Sequence, residues 1–169
     1  EESYGKIHEM TGVTYNNIAS LYKDRKNNIK AEEYFVKAYE CLRMIYGEKH
    51  PLIAEIYNNL ASLYVSQGDM TLTIEYLKKS YDILFQVYPE SHPRLKRYNY
   101  DMGMAYMYAK DYYQALRHLY PAYIDFLEEN GPDYSNTKYA FTYVYICFSD
   151  ILQSKGNDKE ISDKYIDFN

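Results

Sequence analysis

The residues best equipped for chemistry are four histidines, two cysteines and a few carboxylate pairs. His8, His50 and His92 follow one another at intervals of 42 residues. The ligands of one metal ion all lie about 2 Å from it. A series with that period falls on successive structural units, whose packed helices are about 8–10 Å apart. It therefore does not gather into a metal site. His118 stands alone. Cys41 and Cys147 have no Cys-x-x-C partner, and each sits in an apolar segment. They read as two reduced, buried thiols. There is no Gly-x-Ser-x-Gly elbow and no Gly-x-x-x-x-Gly-Lys phosphate loop. Glu32-Glu33 and Glu128-Glu129 read as solvated helix charges. None of the constellations needed for nucleophilic, acid–base or metal chemistry is present. The expectation is a chain that is not an enzyme, with no catalytic residue, no metal and no cofactor.

The histidine spacing reports architecture instead. Tyr15-Asn16-Asn17-Ile18-Ala19-Ser20-Leu21-Tyr22 returns 42 residues later as Tyr57-Asn58-Asn59-Leu60-Ala61-Ser62-Leu63-Tyr64, with seven of eight residues identical. A third copy, Asn99 to Tyr106, keeps the small residue and the final tyrosine. The connectors repeat as well, Tyr46-Gly47-Glu48-Lys49-His50-Pro51 aligning with Tyr88-Pro89-Glu90-Ser91-His92-Pro93. A fourth copy matches at Tyr145, Phe148, Ser149, Leu152 and Gly156 if four residues, about one helical turn, are inserted before it, which reads as a first helix one turn longer or a slightly displaced final repeat. Within each unit apolar residues recur at i, i+3, i+4 and i+7, one face of a helix. Ala19, Ala61, Gly103 and Ser149 hold a small position where two helices can approach. A second helix carries small residues at Ala38, Ser80 and Ala122, with bulk at Phe35, Leu77 and Leu119. Pro51 and Pro93 open first helices, where a missing N–H costs nothing. The pattern predicts helices over about 10–25, 28–46, 51–67, 70–88, 93–109, 112–129 and 135–154, and a short one from 158.

The chain has 169 residues, 24 acidic against 19 basic, and a net charge of −5. That balance argues against nucleic acid as a partner, since no basic stripe is present. No run approaches the ~18 apolar residues of a membrane span, and no signal peptide is visible. The chain starts at Glu1 without a methionine, so it is expected to be a segment of a longer, cytoplasmic (intracellular) protein. Much of its apolar content is aromatic: 24 Tyr and 6 Phe, with no Trp. Tyrosine, with an apolar ring and a polar tip, suits half-buried or partner-facing surfaces.

These repeats resemble the tetratricopeptide repeat, in the 42-residue subtype of kinesin light chains. The match rests on Tyr57 to Tyr64, Gly68, the small residues Ala31, Ala38 and Ala115, and the Gly47-x-x-His50-Pro51 connector. It covers nearly all of residues 4–169. Lys110 replaces the turn glycine in the third copy, and Tyr134-Ser135 replaces His-Pro before the fourth. The resemblance implies an all-α fold, a right-handed superhelical solenoid of antiparallel helix pairs with about three to four repeats. The whole chain then reads as one array, with repeats at about 10–50, 51–92, 93–134 and a divergent, incomplete 135–169. Residues 1–9 read as the tail of a preceding repeat or a connector.

In such arrays the first helices line a concave face that binds protein or peptide ligands. By that resemblance the face presents Asn16, Ser20 and Lys23, then Asn58 and Ser62, then Arg97, Tyr100, Met104, Met107 and Tyr108. Asn17 and Asn59 fall at its edge, and Tyr143, Ile146, Asp150, Gln153 and Ser154 continue it. An asparagine amide carries both a donor and an acceptor, so it can clamp a peptide backbone. The same asparagines could instead bond the adjacent helix. Tyr100, Met104 and Tyr108 could anchor an apolar side chain or serve as packing. Lys23 and Arg97 alone do not make the cluster that holds a terminal carboxylate. The leading expectation is a protein- or peptide-binding scaffold. The alternatives are a regulatory or sensory segment of a larger signalling protein or enzyme, and self-association through exposed array ends.

Overall fold

The computed structural model describes residues 8–89 and 92–155. They form seven α-helices: α1 (Glu9–Asp24), α2 (Asn28–Tyr46), α3 (Pro51–Gln67), α4 (Met70–Val87), α5 (Pro93–Tyr108), α6 (Tyr112–Asn130) and α7 (Ser135–Lys155). All lie within two residues of their expected extents. The expected helix from 158, Gly156 and residues 1–7 lie outside the described residues.

The period is carried by the helix starts. Helices α1, α3, α5 and α7 begin at 9, 51, 93 and 135, and α2, α4 and α6 at 28, 70 and 112. Local chemistry explains why. The Nδ1 of His8, His50 and His92 accepts a hydrogen bond from the backbone N–H two residues on, at 3.1, 3.3 and 3.2 Å. Asn27, Asp69 and Asp111 cap the second helices, accepting from the backbone N–H of Lys30, Leu72 and Gln114 at 3.3, 3.0 and 3.1 Å. Each cap satisfies a donor that the first helical turn leaves unpaired. Just before each Asn or Asp cap the chain must turn through positive φ. Gly68 does so at 79°, and Lys26 and Lys110 do so at 59° and 61° despite their Cβ atoms. The turn geometry thus persists where its glycine is lost.

The described residues fall into two compact units, one ending at Tyr98 and one beginning at Asn99. In the first, α1 packs on α2, α2 on α3, α3 on α4, and α1 meets α3. Phe35, Leu42, Ile53, Ile56 and Leu63 fill its core. Around it tyrosines interlock: Tyr22 stacks on Tyr34 at 5.5 Å and Tyr64 on Tyr76 at 5.4 Å. Lys30 sits over the Tyr22 ring and Lys37 over the Tyr34 ring. Buried hydroxyls are used up locally, as where Ser80 donates to the Ala54 carbonyl at 2.9 Å.

The core of the second unit includes Met102, Ala105, Ala115, Leu119, Ala122 and Cys147. Gly103 lies against Leu119 so closely that an added Cβ would come within 2.5 Å of its Cγ. That explains the small position shared with Ala19 and Ala61, both buried. Ser149, the expected fourth member, is only half-buried. Helix α7 is the longer first helix of the two alternatives, and it corrects the register of the fourth copy. It starts in strict register, and Thr137, Ala140 and Cys147 are as buried as Ile53, Ile56 and Leu63, their counterparts 84 residues earlier. No residues are inserted before it. The extra turn lies at its end, since α7 has 21 residues against 17 in α3. In strict register Tyr145, 66% exposed, stands where Ala61 and Gly103 stand. A ring there prevents the close helix approach that a small residue allows. Phe141, Phe148 and Leu152 share its stripe and are 53%, 54% and 55% exposed.

Candidate functional site

The expected binding residues of the first unit lie along α1 and α3, which touch. Seven residues are two turns of helix, so Asn16 and Lys23 share a face of α1, and Glu55 and Ser62 share a face of α3. The two faces are joined by side chains. Asn59 Nδ2 donates to Asn16 Oδ1 at 2.9 Å, and Asn16 Nδ2 donates to Glu55 Oε1 at a long 3.5 Å. Two turns further on, Lys23 Nζ donates to Ser62 Oγ at 3.0 Å. Ser20 Oγ donates back to the Asn16 carbonyl at 3.1 Å.

These bonds separate residues that sequence placed together. Asn16 is 7% exposed, and its carboxamide is committed on both sides. It lies beneath the face, not on it. Asn58 occupies the same position of the next repeat but is exposed, as is Asn17. Asn59, expected at the edge, is half-buried and holds α3 to α1. The accessible amides are therefore Asn17 and Asn58, flanked by Ser20, Lys23 and Ser62. Glu55 stands on the same face of α3. Its carboxylate is half-buried on this face and, among the described residues, makes no ion pair.

Arg97 is exposed on α5, within the first unit. In the second unit Tyr100, Met104 and Met107 are half-buried and pack against the cluster of Ala115, Leu119 and Cys147. The Tyr100 ring meets Phe126 edge-on, with centroids 5.7 Å apart. Tyr108 is exposed. Asp150, Gln153 and Ser154 line a cleft of about 620 Å³ with the α5–α6 turn at Lys110 and Asp111.

Among the described residues no group of three His, Cys, Asp or Glu side chains could hold a metal ion. Three of the four histidines are spent on helix caps. His118 Nδ1 lies 3.2 Å from Asn99 Oδ1 and its ring stacks on Tyr106. Both cysteines are buried and neither is in a disulfide among the described residues. Burial, and then the Asp150 charge, push the Cys147 thiol up to about 11, so it stays protonated and unreactive at neutral pH. No helix of the described residues is long and apolar enough to cross a membrane.

A chain of capped helix pairs with a 42-residue period and a small residue at each crossing is a helical repeat array. Residues 10–84 match the tetratricopeptide repeat family, and this stretch belongs to it. The described residues form an all-α helical repeat array. Three solved structures illustrate the likeness of fold. BtubC (BKLC) from P. vanneervenii is 23% identical, with a TM-score of 0.68 over 77% of this chain. This chain spans about half of BtubC, 52% of its length. The putative kinesin light chain of Podosopora anserina, described as nearly identical TPR-like repeats, is 14% identical with a TM-score of 0.69, covering 88% of this chain and 71% of that one. A second crystal structure of those repeats is 15% identical with a TM-score of 0.70, covering 88% and 70%. No curated protein matches the chain.

Proposed function

We propose that this chain is a protein-interaction scaffold whose α1–α3 face seats a ligand peptide, with repeats at 10–50, 51–92, 93–134 and from 135. One observation carries the reading. The inner amides of the face, Asn16 and Asn59, are locked to each other, while the outer amides, Asn17 and Asn58, are exposed and make no hydrogen bond within the described residues. A carboxamide held on a rigid helix, with its donor and acceptor free, pairs with a peptide N–H and C=O without needing a particular side chain. Membership of residues 10–84 in the tetratricopeptide repeat family supports a protein partner.

The test begins with a library of random decapeptides on phage, selected on the purified chain. Enriched peptides are resynthesised with a fluorophore and titrated by anisotropy. Asn58→Ala and Asn17→Ala together are expected to weaken binding about tenfold, the loss of one or two hydrogen bonds, with unchanged thermal melting. Undiminished affinity in the double variant removes the face from consideration.

A second reading, association of two copies through α7, has its own observation. Phe141, Tyr145, Phe148 and Leu152 follow the 4-3-4 spacing of a two-helix seam, and the described residues leave them uncovered. Sedimentation velocity across a concentration series tests it. A species that grows with concentration and disappears in Phe148→Ser supports the seam, and a monomer at all concentrations rejects it.

A further inference from the structure

The α1–α3 face is electrically bipolar, and its two poles are a fixed distance apart. At one end Glu55 presents a half-buried carboxylate whose only hydrogen bond within the described residues is the long one from Asn16. At the other end Lys23 presents an ammonium bound to the neutral Ser62 hydroxyl. Neither makes an ion pair among the described residues, although exposed pairs such as Lys37–Glu33 at 2.6 Å form readily elsewhere on the same unit. The poles cannot neutralise each other. Seven residues of helix separate Asn16 from Lys23 and Glu55 from Ser62, a rise of about 10 Å. Asn58 lies one turn from Glu55 towards the Ser62 end, beside the path between the poles.

We infer that this face selects a peptide carrying one basic and one acidic residue three positions apart, the basic side chain on Glu55 and the acidic one on Lys23. The conformation that fits is polyproline II. It advances about 3.1 Å per residue with three residues per turn, so residues i and i+3 point the same way about 9 Å apart. A β-strand covers a similar distance in three residues but sends those two side chains to opposite sides. A polyproline II segment has no internal hydrogen bonds, so its backbone N–H and C=O groups are free to meet the Asn58 amide. A half-buried carboxylate offers a cation more than a fully solvated one, because less solvent screens the pair. The net charge of −5 adds a general attraction for the basic residue but none for the acidic one. Dependence on both charges is thus the signature of the bipolar face.

The inference rests on the peptide-binding reading above, and one selection distinguishes their failures. Peptides enriched from the phage library are sorted by whether Asn58→Ala weakens them. Those that depend on Asn58 are expected to carry opposite charges at i and i+3, in one consistent order that reports the direction of the bound chain. Replacing either charge by Gln in the labelled peptide is expected to cost about tenfold in affinity. Glu55→Gln is expected to abolish the preference for the basic residue alone, and Lys23→Gln the preference for the acidic residue alone. Glutamine at 55 keeps an oxygen for Asn16, so folding is preserved, which the melting temperature checks. Asn58-dependent peptides with no charge pair, or with affinities unmoved by both variants, overturn the inference and leave the peptide-binding face standing. If no enriched peptide depends on Asn58, the face itself fails and this inference with it.

Discussion

The two units solve the same repeat with opposite surfaces. In the first, the face of α1 and α3 is polar and stitched: Asn59 to Asn16 to Glu55, and Lys23 to Ser62. Its rings are folded inward, Tyr57 and Tyr64 packing against Tyr76. In the second, α7 turns a stripe of Phe141, Tyr145, Phe148 and Leu152 outward. The difference comes from a few residues at equivalent positions. Where Ala61 allows a neighbouring helix to pack, Tyr145 does not. A repeat can therefore keep its helices and change what it offers a partner.

The sharpest test of the contrast is the core. Phe35→Ala deletes a fully buried ring in the first unit and is expected to cost about 3–5 kcal/mol. Chemical denaturation followed by circular dichroism should show the loss. Phe148→Ala removes an equally large ring from an exposed site and should stay within about 0.5 kcal/mol. Equal losses in the two variants would erase the distinction between filled and uncovered faces.

Gly103→Ala comes next. Its Cβ would meet Leu119 Cγ at 2.5 Å, so overpacking should cost about 1–3 kcal/mol. A neutral result in urea titration would mean that the close crossing is not needed. Asn16→Ala probes the stitching. It strands the Asn59 donor and removes one donor from Glu55, an expected loss of about 1–2 kcal/mol. The exposed Asn58→Ala should leave stability unchanged. If the two asparagines behave alike in thermal melts, burial does not separate their roles.

Alkaline pH should act on the first unit through its inward rings. Burial, then a hydrogen bond with Tyr39, raises the Tyr57 phenol well above its ordinary value. Burial, then the bond to Glu32, raises Tyr64 likewise. A phenol that holds its proton more tightly when folded adds stability in full below the unfolded value of about 10. That stability is lost as pH rises beyond it through the folded values. Melting temperature should therefore hold to about pH 9 and fall from pH 10 upward. A flat profile through pH 11 would count against the buried phenols. The smallest effect belongs to the turns: Lys110→Gly relieves a positive φ of 61° and should gain up to about 1 kcal/mol, read as a small rise in melting temperature.

Much of the fold was legible because its signals are local. A histidine or aspartate cap, a turn at positive φ and a proline at the first helical position act within a few residues. They repeat wherever the residues repeat, which is why every described helix starts on a 42-residue grid. The small positions at Ala19, Ala61 and Gly103 were legible for the same reason. The fourth copy misled because matching residue types at Tyr145 and Ser149 outweighed the start of the helix at Ser135. Its buried row is Thr137, Ala140 and Cys147, residues with little resemblance to Ile53, Ile56 and Leu63.

By itself, then, the sequence determined the helices, their period and the absence of the usual catalytic motifs, since each depends on neighbours along the chain. Only the tertiary structure decided which amide is spent and which is offered. Asn16 and Asn58 are the same residue at the same place in the repeat, yet one is buried and bonded and the other exposed. The reason is physical. A helical position fixes the direction in which a side chain points, but the side chain that meets it comes from another helix. For Asn16 that meeting is with Glu55 and Asn59, residues 39 and 43 positions away.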